Sequence, residues 1–380
     1  MTAPDIVDVL IVGAGPAGAT AACILAARHC VVMVDHSSTP PLRIGESLIG
    51  AARPLLRDLG VLERFEAAGH QPGLGQASSW GTRDVVWRDS FLDVRGPGWR
   101  IDRARFETML REAALERGAA IIAPAQALRF ARAAGRSGGW IATVHAAEGT
   151  RQLIARFVID ASGRSASFAR DAALTWRSAP DRLVCRFVRL PHPHERDEFE
   201  RVSLVEAVAD GWWYCASLPD NSRVLAFHTD ADLPAARQSR DVEGFFSFLG
   251  ETHTMAARVP RGIEGAVARV SARTQWLVDP CGDDWCAVGD AALAFDPLSS
   301  QGLFNALYGG LRGGEAVAAA LAGDQAPLAA YRERLVMIRD AYRRNLRRTY
   351  QMELRFRDRL FWRRRQSPCD AALIVPPLCL

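Results

Sequence analysis

The sequence predicts an α/β protein: a dinucleotide-binding domain, a second domain built on an antiparallel sheet, and a helical C-terminal extension. Three observations predict it. An apolar run at 5–12 leads into Gly13-Ala14-Gly15-Pro16-Ala17-Gly18, then a small-residue helix, then Val31 to Val34 and Asp35. Strand-like runs with turn residues such as Pro219 to Ser222 between them fill residues 180–230. Near the C-terminus, Leu335, Ile338, Tyr342, Leu346, Tyr350 and Leu354 recur at spacings of three and four, the stripe of an amphipathic helix.

Each part of the first run has a physical reason. Gly13 permits a tight turn after the strand. Gly15 has no Cβ, so a pyrophosphate can approach the backbone. Gly18 lets the helix lie close to the sheet. Pro16 and Ala17 stand between them at the helix start, where free N–H groups and the helix dipole favour negative charge. Asp35 follows Gly18 by 17 residues, near the ~20 expected of an acid on a ribose hydroxyl.

Length and composition narrow the class. A chain of 380 residues is large for one core, so two intertwined domains are expected. The pattern assigns 1–75, 98–177 and 270–330 to the dinucleotide domain, 76–97 and 178–269 to a substrate domain, and 331–380 to the extension. No apolar run reaches the ~18 residues of a spanning helix, and residues 1–22 lack a cationic leader. The expectation is a cytoplasmic protein without a membrane partner. The eight cysteines show no metal-ligand spacing, so buried free thiols and no metal are expected. All 47 basic residues are arginine. The absence of lysine removes every mechanism that needs a side-chain amine.

Between these landmarks the chain reads as follows. Residues 51–69 form a helix on Leu55, Leu56, Leu59 and Leu62, and 72–97 are glycine-rich with short strand-like pieces, Ser79-Trp80-Gly81 among them. A helix at 104–117 follows Gly98-Trp99-Arg100-Ile101-Asp102-Arg103. Strands are expected at 119–123, 139–145 and 153–160, the last ending Asp160-Ala161-Ser162-Gly163-Arg164. Four strands make the second sheet, and a helix follows near 240–249. Trp285 to Val288 is a short strand leading to Gly289-Asp290. Asp296-Pro297-Leu298-Ser299-Ser300-Gln301-Gly302-Leu303 then opens a helix running to about 321. Residues 331–365 read as one long helix with 13 Arg against four acids, a balance of +9 where the whole chain carries +4. The apolar tail after Gln366 is expected to pack against the body.

Three motifs in this order resemble the flavoprotein monooxygenases of the p-hydroxybenzoate hydroxylase type. These are the glycine turn, Asp160 to Arg164, and Gly289-Asp290 followed by Pro297 to Gly302. The resemblance implies FAD in the glycine turn and NADH or NADPH as electron donor. It implies Asp290 beside the ribityl chain, Arg103 on FAD, and the N–H groups of Gln301, Gly302 and Leu303 at the flavin edge that becomes negative on reduction. Arg43, Ser47, Asp160, Gly289 and Pro297 complete the implied cofactor set.

Gly45-Glu46-Ser47-Leu48 resembles the branch holding the tryptophan halogenases. Halogenases of that branch hold the halogenating species on a lysine, which this chain lacks. Their Trp-x-Trp-x-Ile-Pro motif is replaced here by Tyr214-Cys215-Ala216-Ser217-Leu218-Pro219. The features that remain resemble a non-halogenating subgroup typified by LodB, GoxB and QhpG, flavoproteins that oxygenate a tryptophan of a precursor protein on the way to a tryptophylquinone cofactor. Alternatives are a small-molecule aromatic hydroxylase, an isoprenoid-type flavin reductase and a non-catalytic FAD-binding chaperone.

An indole needs little help to be hydroxylated, so few titratable groups are required. Glu46 and His228 are the candidates for proton handling. Each also suits a structural role, Glu46 as a cap or ion-pair partner and His228 as a satisfied strand histidine. Trp213 and Tyr214 are candidates to stack on substrate, although Trp212, Trp213 and Tyr214, being consecutive on a strand, cannot share one face. The Arg343–Arg365 stretch is either a solvated face paired with the chain's own acids or a docking surface for an acidic precursor protein. Nucleic acid is disfavoured, because its aromatic residues follow the period of a packed face.

Overall fold

In the computed structural model, residues 5–41, 43–90, 93–133, 138–191, 201–257, 259 and 266–367 are described. The apolar tail beyond Gln366 falls almost wholly outside them. The first sheet runs in the order Ala120–Ile122, Val31–Val34, Asp5–Val12, Gly149–Asp160, Trp140–Ala146, Ala125–Arg132. Its core is parallel, and the long strand is shared. Residues 149–155 pair antiparallel with Trp140–Ala146, and Val158 to Asp160 pair parallel with Trp285–Ala287. Thus a segment some 125 residues downstream returns to the first sheet beside the glycine turn. The Ala125–Arg132 strand was not legible in the sequence.

The helices Pro16–Leu25 and Gly302–Leu321 lie against each other over this sheet. Glycine makes the approach possible: a Cβ at Gly310 would meet Ala17 O at 2.4 Å.

The second sheet runs Ala268–Ser271, Leu183–Pro191, Ser222–Asp230, Gly211–Ser217, Val202–Val208, Gly75–Ser79, Val86–Asp89. It is antiparallel except where Val202–Val208 meets Gly75–Ser79. Register sets Trp212 opposite His228, Trp213 opposite Phe227 and Tyr214 opposite Ala226, so alternate residues go to opposite faces. One face packs with Phe245 and Leu249 of the Val242–Leu249 helix. The other packs with Ile44, Leu298, Tyr350, Phe361 and Trp362. A small sheet of Ser47–Leu48, Gly98–Arg100 and Gln71–Gly73 contributes the Glu46-Ser47 segment to that inner side.

Two helices expected to be single are each divided. Residues 51–69 become Ala52–Asp58 and Leu62–Ala67, parted at Gly60 with φ of +67°. The expected 331–365 helix becomes Ala326–Gln351 and Leu360–Gln366. No glycine or proline marks this second break. Glu353 turns inward, fully buried, accepting the Gly81 N–H at 2.7 Å and pairing with Arg355, and the chain leaves the helix to let it do so. Leu354, on the expected stripe, is consequently 64% exposed.

Candidate active site

Two helices begin at one cleft without a side-chain cap: Pro16–Leu25 at Gly15 and Gly302–Leu321 at Gln301. A Cβ at Gly15 would meet only Arg43 Nη1, at 3.9 Å, and one at Gly302 would meet nothing within 4 Å. The other motif glycines are shut in. A Cβ at Gly13 would meet Ala161 O at 2.4 Å, and at Gly18 it would meet Gly13 O at 2.0 Å. Gly289, φ +57°, would press on Ala17 Cβ at 2.7 Å. Gly15 and Gly302 therefore leave room for a ligand, while Gly13, Gly18 and Gly289 leave room for the protein itself.

Asp290 lies between these helix starts. Burial pushes its carboxyl up, against the charges of Arg164, Arg103 and Arg43, and Arg164 Nε stands 3.4 Å away. Its side chain nevertheless keeps 32% exposure. A group enclosed by protein yet open on one side lines a cleft. Open amides at two helix starts, three guanidinium groups and one acid suit a pyrophosphate with a polyol chain. FAD fits this set.

Arg103 donates from Nη1 to Ile44 O at 3.1 Å and Gly45 O at 3.0 Å while pairing with Glu107, so it also fixes the Glu46-Ser47 segment. Asp35 is buried and accepts Ala14 N–H at 2.7 Å and Ser37 N–H at 2.9 Å, with Arg111 Nη2 3.3 Å away. It ties the glycine turn to the second strand. Asp160 departs from the cofactor role expected of it. It is fully buried and accepts Ser162 N–H and Oγ–H and Ala169 N–H, so its oxygens hold the 160–169 turn.

The Pro297, Gln301, Gly302 and Leu303 turn is anchored from the far end of the chain. Asp296 accepts the Leu298 N–H at 2.9 Å and the Tyr350 hydroxyl at 2.8 Å, and its own N–H donates to Tyr342 Oη at 2.7 Å. Trp212 Nε1 donates to Tyr350 Oη at 3.2 Å. Burial raises the Asp296 carboxyl to about 6.

Four side chains were expected to act on substrate, and the structure divides them. Tyr214 faces the inner side, half-buried, its hydroxyl 3.2 Å from Ser47 Oγ. Glu46 is close by, 6% exposed, with Oε2 accepting Gly45 N–H at 2.9 Å. Burial pushes its carboxyl up, and the Arg103 and Arg100 charges pull it back. Trp213 is corrected: the pleat sends it to the opposite face, against Phe227 at 4.9 Å and Phe245 at 4.8 Å. His228 is corrected too. It stacks on Trp212 with ring centroids 3.7 Å apart, and burial drives it down to about 3, which keeps it neutral and unsuited to proton transfer near pH 7.

Sequence reasoning missed Arg100, Arg164, Tyr342 and Tyr350 as site residues. Tyrosines on an otherwise aliphatic stripe were the available signal, since a buried phenol needs a hydrogen-bond partner. Arg100 sits directly opposite Ser47 in the small sheet, which no local pattern reveals.

Part of the Arg-rich segment is paired within the fold. Arg364 and Arg365 pair with Asp230, Arg359 with Asp210, and Arg332 with Asp279. Among the described residues no helix is long and apolar enough to cross a membrane.

Comparison with known proteins agrees with this geometry. The chain is 28% identical over 370 residues to the FAD-dependent oxidoreductase LodB of Marinomonas mediterranea, covering 95% of this chain and 97% of LodB. It is 26% identical to a 1H-pyrrole-2-carbonyl-[peptidyl-carrier protein] brominase of Pseudoalteromonas luteoviolacea, over 86% of this chain and 81% of that one. In fold it matches the myxobacterial chondrochloren halogenase CndH with a TM-score of 0.82 at 23% identity, covering 96% and 87% of the two chains. It matches the peptidyl tryptophan dihydroxylase QhpG at 0.75 and 24%, covering 97% and 80%. The model of the FAD binding domain family matches residues 6–344, and the chain belongs to that family as an FAD-dependent oxidoreductase of the halogenase-like kind.

Proposed function

We propose that the protein is an FAD-dependent monooxygenase that hydroxylates an indole ring, a tryptophan side chain of a precursor protein being the substrate, during formation of a tryptophylquinone cofactor. The observation that carries this reading is a halogenase-like fold in a chain without a single lysine. The halogenating chemistry implied for that branch has no side chain to hold it here. Tyr214 stands where the halogenase motif has tryptophan. The similarity to LodB over nearly both full lengths supports an FAD-dependent oxidoreductase, and the fold shared with the peptidyl tryptophan dihydroxylase QhpG supports the choice of substrate.

Reduced FAD, with O₂, would supply the oxygen; NADH or NADPH is the proposed donor. The protein's own residues bind, orient and exclude water. Gly15 and Arg43 would hold the pyrophosphate, and the bare start at Gly302 would receive the flavin. Ile44, Phe187, Leu298 and the Tyr214 ring form an apolar seat on the inner face of the second sheet. Glu46 is the group that can keep a proton there. Its Oε2 accepts the Gly45 N–H, so a held proton sits on Oε1.

The test is an incubation with NADH or NADPH, O₂ and chloride or bromide, offering free tryptophan in one arm and an acidic precursor polypeptide in another. Mass gains of one or two oxygens on the polypeptide are expected. Oxygen on free indoles alone would transfer the reading to a small-molecule hydroxylase. Halogenated product would end it, and FAD binding without any product would leave a chaperone.

Docking of the precursor is proposed for the exposed arginines of the Ala326–Gln351 helix. Reversing Arg344 and Arg348 to Glu should weaken capture of the polypeptide several-fold, more at low salt. Equal capture at all ionic strengths would return these residues to a solvated face.

A further inference from the structure

Arg100 is 5% exposed. Burying a guanidinium costs several kcal/mol unless an acid or several acceptors receive it. Two other well-buried arginines have an acid beside them: Arg365 rests on Asp230 and Arg111 lies near Asp35. Arg100 does not. Its hydrogen bonds go from Nη1 to two hydroxyls, Ser47 Oγ and Tyr214 Oη, the latter at 3.4 Å. Among the described residues no carboxylate lies within ion-pair distance of it. Glu46 is near enough to feel its charge but turns its Oε2 to the Gly45 N–H.

The place of this cation matters. Arg100 joins the small sheet to the second sheet through Tyr214, which packs, as Ile44 does, against Ala216, Leu218 and Val224. Leu298, from the turn at the flavin edge, belongs to the same inner cluster as Ile44 and Tyr214. An apolar seat therefore has a buried cation at its edge, and that cation has hydroxyl acceptors but no carboxylate partner among the described residues.

We propose that Arg100 is a specificity-determining residue that receives an oxygen acceptor of the aromatic substrate while the ring lies on the apolar seat. The acceptor is a main-chain carbonyl when the ring belongs to a polypeptide, or a carboxylate when it belongs to a free amino acid. Both present lone pairs to the guanidinium fork. The proposal rests on the indole reading above and adds what selects among indoles.

The FAD-loaded protein is titrated with indole, N-acetyl-L-tryptophanamide and N-acetyl-L-tryptophan, following perturbation of the flavin absorbance. The two acyl probes are expected to bind on the order of tenfold more tightly than indole. The stronger of the two identifies the carbonyl or the carboxylate as the natural acceptor. In Arg100→Gln the preference should collapse to about twofold or less, with FAD content and indole affinity unchanged. Arg100→Lys, which keeps charge but not the fork, should retain more of the preference for the carboxylate probe than for the amide. If indole binds the wild type as tightly as the acyl probes, or if Arg100→Gln loses FAD or weakens all three equally, Arg100 has a different role. If Arg100→Gln does not fold, Arg100→Lys carries the comparison, and equal binding of indole and the acyl probes by the wild type still overturns the proposal. Binding of none of the probes would instead remove the indole reading, and this inference with it.

Discussion

The protein presents two bare helix starts to one cleft, and they are held by different means. At Gly15 most of what is needed is local, Arg111 on the Ala14 carbonyl being the main remote support. Strand, turn, helix and second strand fall within residues 5–35, and each glycine does one job over a few ångströms. At Gly302 the helix start is set from outside. Asp296 takes the Tyr350 hydroxyl from 54 residues downstream, and its N–H finds Tyr342, 46 residues away. A local device costs little loop entropy and tolerates change elsewhere; a remote one depends on the whole C-terminal region docking correctly.

Within the first start, substituting different glycines should have opposite consequences. Gly18→Val places a Cβ 2.0 Å from a backbone carbonyl that cannot move without the turn. We expect a loss of several kcal/mol, enough to leave most of the protein unfolded, read as loss of soluble protein and of the cooperative melt. Gly15→Val adds its Cβ where only the tip of the Arg43 side chain comes within 4 Å. It should fold, with melting of the FAD-free protein unchanged within about 0.5 kcal/mol, yet purify without flavin. A yellow Gly15→Val protein would mean that the pyrophosphate lies elsewhere.

The second start should give a smaller, graded effect. Tyr350→Phe removes the donor to Asp296 and leaves Trp212 Nε1 without its acceptor. About 1–3 kcal/mol of stability should go. FAD affinity should also fall, because the 296–302 turn loses one of its two anchors. A variant that loses stability but binds FAD as before would separate the anchor from the cofactor site and weaken the comparison.

The same contrast explains what was legible in the sequence. Gly13, Gly15, Gly18 and the return of Trp285–Ala287 to the first sheet followed from short-range pattern, because a βαβ turn is specified by its own residues. The second sheet followed from alternation. The face of each side chain did not: Trp213 and Tyr214 are adjacent letters, and only strand pairing with Phe227 and Ala226 sends one outward and the other into the cleft. The break after Gln351 was hidden for a related reason. It is caused by Glu353 reaching Gly81, 272 residues away, and helix propensity carries no trace of that contact. Ser79-Trp80-Gly81 reads in the sequence only as a short strand-like piece of the expected substrate domain. In the fold Trp80 Nε1 donates to Thr349 O at 2.7 Å, so the motif is the socket for the C-terminal helices.

The smallest effect concerns pH and tests the assignment of His228 to packing. Its folded value lies near 3 because burial penalises the charged ring, against about 6.5 for an exposed histidine. Between these values the unfolded chain binds a proton that the folded chain refuses. Stability from this group is therefore complete above about pH 6.5 and declines as pH falls toward 3. Asp296 works the other way. With a folded value of about 6 against an ordinary 3.9 or so, the folded chain keeps a proton that the unfolded chain has released, and stability from Asp296 falls as pH rises through that window. The two slopes oppose each other where they overlap. His228→Phe keeps a ring for Trp212 to stack on and removes only the first slope. In denaturant melts between pH 4 and 6, it should change the pH dependence of stability by up to one proton, about 1.4 kcal/mol per pH unit, relative to wild type. Its turnover at neutral pH should stay near wild type. A large loss of turnover, with stability and FAD content intact, would restore His228 to the chemistry and show that the inner face of the second sheet reacts over a wider area than Tyr214, Ser47 and Glu46.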